Sequence, residues 1–172
     1  MNHDLRIATL EDRSAIEAIV KAAYARYVPR IGREPGPMRD DYGAFIRDGR
    51  VHVLDHGGVI EGILVLIPEK DALLLDNVAV PPAAQGLGYG RAMLAFAERA
   101  ARDAGYRSIR LYTNEAMTEN CRRVTIAERP VWWLSCLRDD QNSRPSGESR
   151  FKERKHGSDG MLCTSSVVFP CP

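Results

Sequence analysis

No apolar run in this 172-residue sequence approaches the roughly 20 residues that a membrane-crossing helix needs. Its opening, Met1-Asn2-His3-Asp4-Leu5-Arg6, holds no apolar stretch of signal-peptide type. A soluble, cytoplasmic protein is expected. Charge of one sign is also missing, because the net charge is +1. No whole-chain field therefore draws the molecule to nucleic acid or to an acidic membrane surface, and neither is expected as a partner. Cysteine is absent from residues 1–120. The four cysteines, Cys121, Cys136, Cys163 and Cys171, form no Cys-x-x-Cys pair and have no suitably spaced histidine. No metal site is expected. The length allows one domain with a real core and is too short for two comfortable ones.

What is present is a run of periodic segments over residues 1–120. Leu5 to Ala8 alternates as a short strand, and Thr9 followed by Asp12 has the spacing of a capping box. A first helix should run to about Tyr27, with Ile16, Ile19, Val20, Ala23, Tyr24 and Tyr27 as its buried stripe. Residues 28–38 hold Pro29, Gly32, Pro35, Gly36 and Pro37, too many breakers for a regular element. They read as a loop, either a plain surface connection or the wall of a substrate mouth, ahead of a short helix near Asp40 to Arg47. Val51–Leu54 and Val59–Ile67 flank Asp55-His56-Gly57-Gly58, whose glycines suit a tight hairpin. The second arm is apolar on both faces, as a strand covered by helices on each side should be.

A further apolar run, Ala72 to Val80, is interrupted by Asp76 and Asn77 and stopped by Pro81-Pro82. After a glycine-rich stretch comes a helix from Arg91 to Ala104 with Gly105 as its left-handed cap. Met93, Ala97, Ala100 and Ala104 form its expected inner face. Arg107 to Thr113 then reads as a strand. This order implies a mixed sheet with helices on both faces.

The stretch between strand and helix, Gln85-Gly86-Leu87-Gly88-Tyr89-Gly90, would gather consecutive backbone N–H groups at a helix mouth with no side chains in the way. That is an anion cradle. The helix dipole contributes about 0.3–1 kcal/mol there, and each charge-assisted hydrogen bond to a phosphate oxygen about 1.5–3 kcal/mol. The spacing Gly-x-Gly-x-Gly lacks the last glycine or alanine of the dinucleotide fingerprint. It also lacks the Gly-Lys-Ser/Thr of a P-loop.

The longer segment Val78-Ala79-Val80-Pro81-Pro82-Ala83-Ala84-Gln85-Gly86-Leu87-Gly88-Tyr89-Gly90-Arg91-Ala92-Met93-Leu94 resembles the pyrophosphate-binding motif of the GNAT superfamily of acetyl-CoA-dependent N-acetyltransferases. Tyr112-Thr113-Asn114-Glu115 after the next strand fits as well, so the likeness spans about residues 4–120. The resemblance implies an α/β (α+β) fold with a mixed, mainly antiparallel sheet flanked by helices. It implies acetyl-CoA as co-substrate, with Val78, Ala79 and Val80 along the pantetheine arm. Gln85, Gly86, Leu87, Gly88, Tyr89, Gly90 and Arg91 would hold the pyrophosphate, and Asn114 and Asn120 would touch the cofactor further along. The acceptor is then a primary amine, on a small molecule or a protein.

Such an amine has a pKa near 10.4 and must lose a proton before it attacks the thioester. Asp76 is the candidate base, because two residues along a strand from Val78 it should share that residue's face. The competing reading makes it an aspartate that orders the sheet edge or binds the amine. Glu115 is the second candidate, and Tyr24 reads as core before it reads as a substrate contact.

Beyond Asn120 the periodicity stops. Residues 1–120 carry 15 basic and 17 acidic groups, and residues 121–172 carry 9 and 6, so the sign of the charge changes. The family's usual Leu-Tyr helix, with the tyrosine that serves as general acid, and its last strands have no counterpart here. Residues 121–172 are therefore expected to be an out-of-frame or otherwise foreign tail, poorly ordered, leaving a strand edge open and catalysis impaired. Tryptophan's single codon gives a small check: Val131-Trp132-Trp133-Leu134 shifted by one nucleotide encodes a Gly-Gly step like the missing one. The alternative to an active enzyme is a non-catalytic acyl-CoA-binding module.

Overall fold

The computed structural model describes residues 4–113, 135–136 and 165–168. The chain opens with β1 (Asp4–Ile7), whose turn into α1 (Arg13–Tyr24) is closed by the expected capping box between Thr9 and Asp12. Arg6 reaches from β1 to Asp12 at 2.7 Å and to Asp55 at 3.1 Å, fastening the start of the chain to the sheet. The Arg6 hydrogen bond holds the Asp12 carboxyl down at about 2, below the usual carboxylate range. All six residues of the expected apolar stripe are buried.

Residues 28–38 depart from the loop reading. Val28–Ile31 is a short helix, α2, and Gly36–Arg39 is a 3-10 turn. Pro29 lies in the first turn of α2, where its missing N–H leaves no bond unmade. Gly32 ends the helix at φ 78°. The breakers therefore act as start and stop signals. α3 (Tyr42–Arg47) follows, capped by the Asp41 side chain accepting from the Ala44 amide at 3.1 Å.

β2 (Val51–His56) and β3 (Val59–Pro68) form the expected hairpin, with Gly57 and Gly58 both at positive φ. β4 (Leu73–Ala79) pairs antiparallel with β3, and β5 (Ser108–Thr113) pairs parallel with β4. The sheet runs in the order β1-β2-β3-β4-β5. On one face α1 and α3 cover Val51, Val53, Ile63 and Val65. On the other face α4 (Tyr89–Asp103) covers Leu64, Leu66, Leu73 and Leu75. β3 thus feeds both cores from alternate residues, as its unbroken apolar run requires.

The buried face of α4 is Tyr89, Met93, Ala97 and Ala101, with Ala104 exposed. The sequence reading took Ala104 for this face. The four-residue steps from Tyr89 carry the contact ridge to Ala101 instead. Gly62 on β3 lets Met93 close in, since a Cβ there would lie 2.9 Å from the Met93 methyl.

Two short stretches of the chain after residue 120 are described. β6 (Ser135–Cys136) pairs parallel with the end of β5, and β7 (Ser165–Val168) pairs antiparallel with Ser108–Leu111. β4 holds the other side of β5 at Ile109–Leu111, so β7 covers the edge expected to stand open. Among the described residues no helix is long and apolar enough to cross a membrane.

Candidate functional site

The site begins where two neighbouring strands part. β4 and β5 pair only from Leu73 opposite Ile109 to Leu75 opposite Leu111. Beyond that point the pairing of β4 with β5 stops among the described residues. A β-bulge lies at this point. Val65 faces Asn77 and Leu66 faces Leu75 across β3 and β4, which leaves Asp76 as the extra residue. A bulge bends and twists its strand, and this one falls where the pairing of β4 with β5 ends. The result is a length of strand edge able to pair with an extended ligand.

The same bulge resets the faces of β4. Leu75 lies in the core under α4, yet Ala79, four residues on, lies in the core under α1. Regular alternation would put them on one side. The count in twos along β4 is thus interrupted at Asp76, the extra residue of the bulge. Asp76 is partly buried, and its Oδ2 is shielded from solvent. Val78 and Val80 pack toward the α4 core.

Past Pro81 the chain makes a 3-10 turn, Pro82–Ala84, and enters the glycine loop. Gly86 and Gly88 sit at φ 89° and 86°, backbone that residues with a Cβ rarely adopt, so glycine is favoured at both. Gly90 is inside α4 with no positive φ, and its face is open. The first intrahelical bond runs from the Ala92 N–H to the Gly88 carbonyl at 3.0 Å. The N–H groups of Gly86, Leu87, Gly88, Gly90 and Arg91 have no backbone acceptor among the described residues. No acidic side chain lies in the first turn of α4, and no side chain caps it. Arg91 adds a cation where the helix dipole is already positive, an arrangement that an incoming anion relieves. The loop is open to solvent, with Leu87 63% exposed.

Gln85 behaves differently from its neighbours. Its backbone N–H donates to the Pro82 carbonyl at 3.3 Å, so the amide cradle starts one residue later than the sequence suggested. Its side chain instead donates to the Val80 carbonyl at 3.1 Å and braces the loop against the end of β4. Asn114, Glu115 and Asn120 lie outside the described residues.

One part of the site was missed in the sequence. Asn77 is 2% exposed, and it is the buried polar residue of the described chain. Its Oδ1 accepts from the Tyr24 hydroxyl at 2.7 Å, and its Nδ2 donates to the Tyr42 hydroxyl at 2.8 Å. Tyr42 in turn donates to the Pro37 carbonyl at 3.0 Å. Burial, then the charge of Asp40 and to a lesser degree that of Asp76, drives the Tyr42 hydroxyl far above the usual tyrosine range. It stays protonated and remains a donor. The only signal in the sequence was an asparagine breaking an apolar run.

Residues 47–123 match the profile of the Acetyltransferase (GNAT) domain. No curated protein matches the chain. Among solved structures it is similar to the N-acetylglutamate synthase of Neisseria gonorrhoeae complexed with coenzyme A and N-acetyl-glutamate, at 23% identity and a TM-score of 0.55. That match covers 72% of this chain and 28% of the synthase, so the chain spans well under half of that protein. The PaiA N-acetyltransferase of Thermoplasma acidophilum, in complex with coenzyme A, aligns over 98% of this chain and 100% of its own at 11% identity and a TM-score of 0.63. A GNAT acetyltransferase of Listeria monocytogenes aligns over 97% and 95% at 15% identity and a TM-score of 0.65. At these identities the structural likeness is one of fold. The profile match identifies a GNAT acetyltransferase domain over residues 47–123, and the fold around it is like that of the solved GNAT structures.

Proposed function

We propose that the protein is an N-acetyltransferase that moves an acetyl group from acetyl-CoA to a primary amine of a small molecule. The observation that carries this reading is the set of main-chain donors at Gly86, Leu87, Gly88, Gly90 and Arg91, gathered at the mouth of α4 beside the open edge of β4. A diphosphate with an extended arm fits both features: the oxygens take the amides, and the arm's amide groups pair with Val78 to Val80. Acetyl-CoA has that form, and its thioester supplies the activated acetyl group. The complexes of the synthase and of PaiA with coenzyme A support the same ligand class.

In this reading the acceptor enters from the side of Tyr24, Tyr42 and residues 36–41, because the pantetheine arm occupies the β4 edge. Asp76 takes a proton from the ammonium form of the acceptor, whose pKa is near 10.4. The amine nitrogen then bonds to the acetyl carbon, the carbon–sulfur bond breaks, and the second proton given up by the nitrogen ends on the departing thiolate. Asn114 and Asn120 are proposed to contact the cofactor, and Glu115 is the second candidate base. Residues from about Cys121 remain proposed as foreign to the family, in keeping with a profile match that ends at residue 123.

The test is acetyl-CoA turnover, followed through release of the free CoA thiol, with a panel of amino acids, polyamines and simple alkylamines. Thiol release that depends on an added amine, together with a new amide in the product, is the expected result. Tight CoA binding with no thiol release across the panel would instead support a CoA-binding module without catalysis.

A further inference from the structure

The chain of hydrogen bonds through Asn77 joins four separate segments at one point. Tyr24 is the last residue of α1, Pro37 lies in the 3-10 turn Gly36–Arg39, Tyr42 opens α3, and Asn77 is on β4 beside the bulge. An asparagine in an apolar core costs desolvation that an aliphatic residue of similar size avoids, and it is tolerated only when its polar atoms are matched. Here both ends of the carboxamide are matched, at 2.7 and 2.8 Å. The extension from Tyr42 to the Pro37 carbonyl at 3.0 Å adds nothing to the matching of Asn77 itself. What it does is tie the turn at 36–39 to the strand that carries Asp76.

We infer that Asn77 and Tyr42 are positioning residues for the acceptor amine, clamping the wall formed by residues 36–41 against the bulged stretch of β4; this rests on the transferase reading above. The cofactor side of the site is built from other residues, Val78 to Val80 along the β4 edge and Gly86 to Arg91 on the loop. Loosening the clamp therefore changes acceptor recognition and spares CoA binding.

Tyr42→Phe tests this while keeping the ring, its edge contact with Phe45 and its place in the core. The variant frees the Pro37 carbonyl and should speed amide hydrogen exchange within residues 36–41 by up to about tenfold, the scale of one hydrogen bond. Tyr24→Phe cuts the other arm of the network and leaves the Tyr42 to Pro37 bond in place, so exchange in 36–41 should match the wild type. Both variants should gain the same rise in Tm from CoA as the wild type. With whichever of L-glutamate, L-arginine and spermidine the wild type acetylates best, Tyr42→Phe should raise the acceptor KM by about fivefold or more with the KM for acetyl-CoA unchanged. Wild-type exchange in Tyr42→Phe, or an equal rise in both KM values, would overturn the inference. A wild type that gains no Tm from CoA would instead bring down the transferase reading on which it stands.

Discussion

Gly88→Asp should leave a folded protein that no longer binds CoA. Gly88 is at φ 86° in open space, where a Cβ meets nothing within 4 Å. Aspartate is among the residues that tolerate this left-handed backbone, so the cost to stability should be about 1 kcal/mol. Binding suffers far more. A carboxylate at the mouth of α4 competes for the amides of Gly86, Leu87, Gly88, Gly90 and Arg91 and repels a diphosphate. Losing two charge-assisted hydrogen bonds, at about 1.5–3 kcal/mol each, weakens binding by about a hundredfold or more. Titration calorimetry reads this directly, with circular dichroism confirming the fold. A Gly88→Asp protein that binds CoA within about threefold of wild type would show that the anion sits elsewhere.

Asp76→Asn should have the second large effect, and on a different quantity. The carboxamide has the shape of the carboxylate and can still hold the bulge, but it cannot take a proton. If Asp76 is the base, kcat falls by about 10²–10⁴ while CoA affinity stays as it was. The pH profile changes with it. The wild-type rate should level off as pH rises, whereas the residual rate of the variant should keep climbing toward the amine's own pKa of about 10.4. The competing reading, in which Asp76 holds the acceptor ammonium or orders the strand, predicts a raised acceptor KM or a lowered Tm with kcat little changed. Steady-state kinetics with both substrates varied separates the two.

The parts of this site that could be read from sequence are those governed by local chemistry. Gly86 and Gly88 are favoured by backbone dihedrals, and the proline stop and the helix after it are short-range signals. The hairpin at Gly57-Gly58, the buried stripe of α1 and the two-faced burial of β3 follow from turn residues and period in the same way. What escaped depends on partners distant in the chain. The bulge at Asp76 exists because of how β4 registers on β3, and nothing in residues 72–80 alone fixes that register. The partners of Asn77 lie 53 and 35 residues away, so its role could not be seen without the fold. Pro29 and Gly32 were read as breakers when they bound a helical turn. β7 takes its place on β5 from a segment with no periodic signal, through pairing that becomes visible only beside its neighbour.

The central claim is that main-chain donors at the start of α4 hold a diphosphate. Calorimetric titration of the full chain with CoA, set beside the same titration with pantetheine, which has the arm and thiol but no diphosphate, tests it most directly. The account predicts that CoA binds and that pantetheine binds at least about a hundredfold more weakly. Equal affinity for the two, or no binding of CoA at all, would contradict it.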